Sequence, residues 1–250
     1  MARESGQFQN AFKACLSPFF RGLWRIKATG LENVPTDGPA ILAPNHISVI
    51  DSFFLPMVLK RRITYVGKAE YMDDWKTRRL FPALGMIPID RSGGDASQRA
   101  LDTAARLLDA GELFGIYPEG TRARDGLLHK GHTGAARLAV RTGAPILPVG
   151  ILGTRAIQPP DTPMPKPFRP AEIRIGKPIH APASGDDVSH MVYRQLTDEL
   201  MYEIRGLTGQ DYVDTYATKG ATQVVETLET TASPEMPPRR SSADVLSAAV

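Results

Sequence analysis

Apolar and polar residues follow one another along this chain in blocks that predict short strands and longer helices in turn. Ala40-Ile41-Leu42-Ala43 is an apolar run that reads as a buried strand. Ile63 to Val66, Met86 to Ile89, Leu113 to Tyr117 and Ile146 to Ile151 read as further buried strands, and Glu172-Ile173-Arg174-Ile175 alternates as a half-buried one. Between them, Ser97 to Asp109 predicts a helix with Leu101, Ala104, Leu107 and Leu108 turned inward, stopped by Gly111. Gly134 to Arg141 predicts a second helix, ended by Gly143. A last helix runs from Val188 to about Arg205, with Val188, Met191, Val192, Leu196, Leu200 and Ile204 on one stripe. Alternation of this kind implies an α/β sheet covered by helices on both faces.

The two ends of the chain differ from this middle. Phe8, Phe12, Leu16, Phe19 and Leu23 recur at helical spacing, with Pro18 predicting a kink, and residues 1–27 carry five basic side chains against one acidic. A basic amphipathic helix bearing Phe and Trp fits a segment lying on a membrane surface; it fits equally a helix whose apolar face packs on its own domain. From about Gly209 the chain is rich in Thr, Ala, Ser and Pro without sustained apolar periodicity, which predicts disorder. The expected organisation is a membrane-associating segment over 1–29, a catalytic-sized domain over 30–208 and a disordered tail over 209–250. The proline-rich run from Pro159 to Pro170 reads as a surface loop.

With 250 residues and 42% hydrophobic content, the chain is long enough to bury a core. Its one cysteine, Cys15, excludes an internal disulfide framework and a cysteine-built zinc site. The net charge of +3 is unevenly spread: residues 207–250 hold three Lys/Arg and six Asp/Glu, leaving +6 on residues 1–206. A basic folded part suits phosphate-bearing ligands or an anionic membrane surface. No apolar run reaches the roughly 18 residues of a spanning helix, and no signal peptide is expected, because Lys13 and Arg21 interrupt the N-terminal apolar residues.

The chemistry gathers after the strand of Ala40. His46 and Asp51 are five residues apart, and a histidine with a carboxylate on one ring nitrogen makes a general base. On one continuous helix these positions point about 140° apart, so a bend must lie between them. Pro44 and Ser48 supply the signals for one, with Ser48 as the expected cap of a helix running through Asp51, Phe53, Phe54 and Leu55. Backbone amides of this turn are candidate donors to an oxyanion.

A second cluster is Tyr117-Pro118-Glu119-Gly120-Thr121-Arg122, directly after a strand, where open α/β sheets bind ligands. Pro118 and Gly120 fit a tight turn presenting amides, and Arg122 can grip a phosphate. Lys68 and Arg91 follow two other strands, so three strand-end cations can converge on one phosphate. His129 and His132 are spaced for a shared helix face, but no third ligand lies near in sequence, so loop histidines and no metal are expected.

These blocks together resemble the lysophosphatidic acid acyltransferases of the glycerophosphate acyltransferase superfamily. The resemblance covers roughly residues 30–180 and rests on His46/Asp51, Gly85 to Arg91, Tyr117 to Arg122 and Ile146 to Gly150, in the family's order, with Lys130-Gly131 as a further match. Tyr117 stands where the family has Phe, and Ala123 where it often has Ser. The resemblance implies a mixed sheet covered by helices, and direct acyl transfer from an acyl thioester to the free hydroxyl of 1-acylglycerol 3-phosphate; the alternatives are the same chemistry on glycerol 3-phosphate, another lysolipid or a glycolipid, and a non-catalytic lipid-binding module. In that scheme His46 is the base oriented by Asp51, and Lys68, Arg91, Glu119, Gly120, Thr121 and Arg122 bind substrate. No cofactor is implied beyond acyl-CoA or acyl-carrier protein as co-substrate. The implied partners are the lysophospholipid, the acyl thioester and a membrane surface, not nucleic acid, and the implied place is the cytoplasmic face of the cell membrane.

Overall fold

The strand at Ala40–Pro44 (β2) is apolar along its whole length because it is covered on both faces: all five residues are buried. Successive side chains of a strand point to opposite faces. Accordingly Ile41 and Ala43 join one hydrophobic core, while Ala40 and Leu42 join another on the far side. In the computed structural model, which describes residues 18, 20, 22–68, 85–89, 96–182 and 189–218, β2 is the middle strand of a seven-stranded sheet.

The other strands are Lys27–Thr29 (β1), Ile63–Lys68 (β3), Met86–Ile89 (β4), Leu113–Gly115 (β5), Ile146–Leu152 (β7) and Glu172–Ile175 (β8), in the order β1-β8-β7-β2-β5-β3-β4. Leu128–His129 (β6) and Tyr212–Val213 (β9) form a separate parallel pair. Within the main sheet β7, β2, β5, β3 and β4 are mutually parallel, and β8 is antiparallel to β7. The sheet is therefore mixed, and the C-terminal ends of its five parallel strands share one edge.

Helices cover both faces. Ala96–Asp109 (α2), Gly134–Thr142 (α3) and His190–Thr208 (α5) pack against one, through Ala104, Leu108, Leu138, Leu196 and Leu200. Asp51–Val58 (α1) and the short Thr154–Ile157 (α4) cover the other with Phe54, Leu55 and Ile157. Val188, expected at the start of the last helix, lies outside the described residues.

The ends refine the sequence reading. Trp24 is buried: its ring contacts Phe20 and Phe54 at 4.9 and 5.5 Å, and its Nε1 donates to the carbonyl of Lys166 at 2.9 Å. This part of the N-terminal apolar face packs on the domain itself. Phe8, Phe12, Cys15, Leu16 and Phe19 lie outside the described residues. At the other end the folded chain continues past 208, because β9 pairs with β6 and carries residues 209–216 back along the molecule. A two-residue strand gives no periodic signal, so composition alone placed it in a tail. No helix among the described residues is long and apolar enough to cross a membrane.

Gly115 ends β5 against the ring of Tyr65 on β3, and a Cβ there would sit 2.1 Å from Tyr65 Cε1. Tyr65 is itself buried, so the ring has little room to withdraw. Gly115→Ala is expected to cost about 1–3 kcal/mol by overpacking, read as a lower urea midpoint with an unchanged slope; wild-type stability would contradict this packing.

Candidate functional site

The edge formed by the parallel strands' C-terminal ends carries the residues singled out from the sequence. β2 delivers Asn45 and His46, β5 delivers Tyr117 to Arg122, and β3 ends at Lys68, whose Cα pairs with Ile89 of β4. The topology thus sets Lys68 on the same edge as His46 and Glu119. Arg91 lies outside the described residues.

His46 and Asp51 meet. Asp51 begins α1, and its Oδ2 lies 3.1 Å from His46 Nδ1. The same oxygen accepts the backbone N–H groups of Ile47 and Ser48, each at 2.8 Å. An oxygen already receiving two N–H groups acts as an acceptor, so the ring must donate from Nδ1, which leaves Nε2 with a free lone pair. Asp51 is 1% exposed, and its Oδ1 has no hydrogen-bond partner among the described residues. All of the carboxylate's bonding converges on Oδ2, which makes the turn that the five-residue spacing demands.

One expectation about this turn is corrected. Ser48 does not cap α1; the residue before the helix is Ile50, with no side-chain cap. Ser48 Oγ donates to the carbonyl of Gln158 at 2.9 Å and accepts the Ile50 N–H at 3.4 Å, ahead of the first helical residue. The amides of Ile47 and Ser48 are taken by Asp51 and that of His46 by Glu119.

The ring is held on a second side. Tyr117 stacks on it with centroids 3.8 Å apart and planes 18° from parallel. The Tyr117 hydroxyl shares a hydrogen bond with Ser52 Oγ at 2.8 Å, tying the stacking ring to the helix that bears Asp51. Burial holds the Tyr117 hydroxyl well above its ordinary pKa, so it stays a neutral phenol. The substitution of Tyr for Phe therefore adds a bond inside the site's framework.

Glu119 is placed differently from its expected role as a ligand contact. It is 1% exposed and both oxygens are occupied: Oε1 accepts His46 N–H at 2.9 Å and Oε2 accepts His129 N–H at 3.1 Å. Desolvation pushes its pKa up to about 7, against the opposing pull of those two backbone donors. Glu119 holds the backbone on both sides of the site. Gly120 has φ +72°, and a side chain there would meet the ring of His132 at 2.9 Å, so glycine is required twice over. Thr121 and Arg122 are half-buried, and Arg122 makes no ion pair among the described residues. A half-buried guanidinium without an internal partner is able to take a phosphate.

Several contributors had no local signature. Asn45 is 1% exposed: its Oδ1 accepts Ile151 N–H at 2.7 Å, and its Nδ2 donates to Ile151 carbonyl and to Gln210 Oε1 at 3.1 and 2.8 Å. Gln210 in turn donates to the carbonyl of Gly126 at 2.8 Å. His129 places Nε2 3.0 Å from Asp125 Oδ2 and Nδ1 3.1 Å from the carbonyl of Thr215, while His132 stacks on Tyr216. The histidines three apart thus anchor the segment after Arg122 to residues 215–216. Only the apolar environment around Asn45 hinted at its role; Gln210 lies 165 positions away.

Comparison with known proteins agrees with this geometry. Residues 25–152 match the family model described as Acyltransferase. The chain is 28% identical to the 1-acyl-sn-glycerol-3-phosphate acyltransferase of Bacillus subtilis over 79% of its own length and 94% of that protein's. It is 29% identical to the chloroplastic 1-acyl-sn-glycerol-3-phosphate acyltransferase LPAT1 of Arabidopsis thaliana over 63% of its own length and 44% of that protein's. It spans less than half the length of LPAT1 and of the Brassica napus chloroplastic relative BAT2, where the share is 40%. The crystal structure of the 1-acyl-sn-glycerophosphate acyltransferase PlsC from Thermotoga maritima superposes with a TM-score of 0.58 at 25% identity, over 82% of this chain and 78% of that one. With its strand-end histidine folded onto Asp51 and the family model spanning just over half of its residues, this chain belongs to the Acyltransferase family.

Proposed function

We propose that this protein transfers a fatty acyl group from an acyl thioester, acyl-CoA or acyl-carrier protein, to the free hydroxyl of 1-acylglycerol 3-phosphate, giving phosphatidic acid for phospholipid synthesis. The observation that carries this reading is His46 Nδ1 at 3.1 Å from Asp51 Oδ2, a contact that in the neutral ring puts the proton on Nδ1 and keeps the lone pair on Nε2. The names of the Bacillus subtilis and Arabidopsis thaliana relatives support the acceptor.

In this scheme Nε2 takes the hydroxyl proton as the hydroxyl oxygen attacks the thioester carbonyl, forming the new C–O bond. The tetrahedral intermediate collapses with cleavage of the C–S bond, and the imidazolium returns its proton to the departing thiolate. Asp51 stabilises the imidazolium between these steps, and no acyl-enzyme forms. Arg122, with Lys68 and Arg91, binds the acceptor's phosphate, and Thr121 adds a hydroxyl. Glu119 acts here as a positioning residue, since its two oxygens hold the backbone of His46 and of His129. In this reading the membrane supplies the acceptor and the protein works at the membrane's cytoplasmic face.

His46→Ala is expected to lower thiol release in the presence of 1-acylglycerol 3-phosphate by about a thousandfold, and Asp51→Asn by about a hundredfold with little change in acceptor KM. Activity of His46→Ala within a few-fold of wild type would exclude it as the base, and a purified protein that acylates no lysophospholipid would defeat the whole scheme.

Glu119 generates a prediction in stability. Its folded pKa of about 7 stands above the ordinary 4.5, so the folded protein keeps a proton that the unfolded chain has already released across that window. The resulting stabilisation is complete below the lower value and is lost as pH rises through the upper one. Glu119→Gln has no such titration, and its amide N–H₂ opposes one of the two backbone donors at a cost of about 1–3 kcal/mol. Urea unfolding should find the Gln variant less stable at pH ~5 and the gap narrower by pH ~8; a gap that widens would contradict the burial of an ionisable carboxyl here.

A further inference from the structure

The loop between α4 and β8, from Pro159 to Pro170, is held firmly yet shows apolar side chains to solvent. Lys166 N–H donates to Ile157 carbonyl at 2.7 Å, Trp24 Nε1 donates to Lys166 carbonyl at 2.9 Å, and Phe168 N–H donates to Leu23 carbonyl at 2.8 Å. Arg25 Nη2 reaches the Phe168 carbonyl at 3.4 Å. Despite these ties Met164 is 74% exposed and Phe168 is 71% exposed. Phe168 also has φ +60°, a left-handed conformation that a bulky residue adopts only when its surroundings impose it. The fold thus accepts backbone strain and holds a phenyl ring out in water.

The chemistry around these side chains is basic. Lys166 and Arg169 are exposed between and beside them, Arg25 adjoins, and the loop's one acidic residue, Asp161, is paired with Arg124 at 3.1 Å. Apolar side chains interleaved with cations on a rigid loop complement an anionic bilayer: the former enter the headgroup boundary while the latter meet lipid phosphates. A dry protein partner would instead match the cations with buried carboxylates and offers the exposed prolines no comparable gain. We infer that the loop Pro159 to Pro170 is a membrane-docking element that inserts Met164 and Phe168 into anionic lipid.

The root of this loop adjoins the histidine turn, because the Gln158 carbonyl receives Ser48 Oγ at 2.9 Å. Val49, in that turn, is 39% exposed. Docking through the loop therefore brings His46 to the surface where a lipid acceptor resides. That consequence rests on the proposed acyl transfer; the docking itself does not.

The test uses the full chain and sucrose-loaded vesicles of phosphatidylcholine, with and without phosphatidylglycerol. Met164→Ser/Phe168→Ser is expected to weaken co-sedimentation by about tenfold, with an unchanged far-UV circular dichroism spectrum. Lys166→Glu/Arg169→Glu is expected to lose the preference for phosphatidylglycerol, and Phe168→Leu to bind as wild type. Co-sedimentation of Met164→Ser/Phe168→Ser equal to wild type would overturn the inference. A second measurement is independent of binding strength: Cys15→Ser/Phe168→Cys labelled with nitrobenzoxadiazole should brighten and shift to the blue on adding the anionic vesicles, and unaltered emission would overturn the inference as well. Turnover on a monomeric short-chain lysophospholipid separates this from the enzymatic reading. If wild type turns it over, Met164→Ser/Phe168→Ser should match it, and a loss there would overturn a purely docking role. If wild type acylates nothing, the enzymatic reading fails while the vesicle results still decide the loop.

Discussion

A single carboxylate oxygen, Asp51 Oδ2, receives three N–H groups: those of the Ile47 and Ser48 backbone at 2.8 Å each, and the His46 ring at 3.1 Å. The first two fix the backbone course from the end of β2 into α1, and the third fixes the ring. One interaction therefore makes both the local fold and the chemical state of the site, so neither can change alone. Charge-assisted hydrogen bonds of this kind are roughly twice as strong as neutral ones, and burial removes competing water. The cost is an Oδ1 that is buried without a partner among the described residues, a destabilisation that a purely structural turn would have no reason to retain.

The surrounding framework limits how that turn can move. Glu119 ties the His46 backbone to that of His129, Tyr117 stacks on the ring and bonds to α1, and Ala123 N–H donates to the His46 carbonyl at 2.7 Å. Residues 210–216 close the arrangement from the far end of the chain, Gln210 through Asn45 and Gly126, and Thr215 through His129 and Lys130. Side chains locked in this way keep the His46 ring in a narrow range of directions, which is what the proposed role as base requires.

Much of this was legible before the structure was known. Buried strands announce themselves as apolar runs, and amphipathic helices as stripes, so the strands at Ala40, Met86, Ile146 and Glu172 and the helices after Ala96 and Gly134 emerged close to their observed bounds. The bend between His46 and Asp51 followed from helix geometry alone. What stayed hidden has a common physical cause, namely pairings between residues distant in sequence. β9 is two residues long and takes its identity from β6; Gln210 reaches Asn45 across 165 positions. Glu119 was legible as a site residue but not as a buried one, since the spacing of a motif does not say which side of a turn a carboxylate occupies. Ser48 followed the usual capping preference in sequence, and its Oγ does accept the Ile50 N–H at 3.4 Å, but the helix itself begins only at Asp51, whose carboxylate gathers the earlier amides of Ile47 and Ser48.

The tautomer of His46 tests this arrangement most directly. Two-bond ¹H–¹⁵N correlation spectra of protein labelled at histidine, assigned by loss of the signals in His46→Ala, distinguish a protonated from an unprotonated ring nitrogen. In the neutral ring the proton is expected on Nδ1, with Nε2 giving the shift of a bare lone pair. A neutral His46 that carries its proton on Nε2 would contradict the Asp51 hydrogen bond, and with it the assignment of Nε2 as the base.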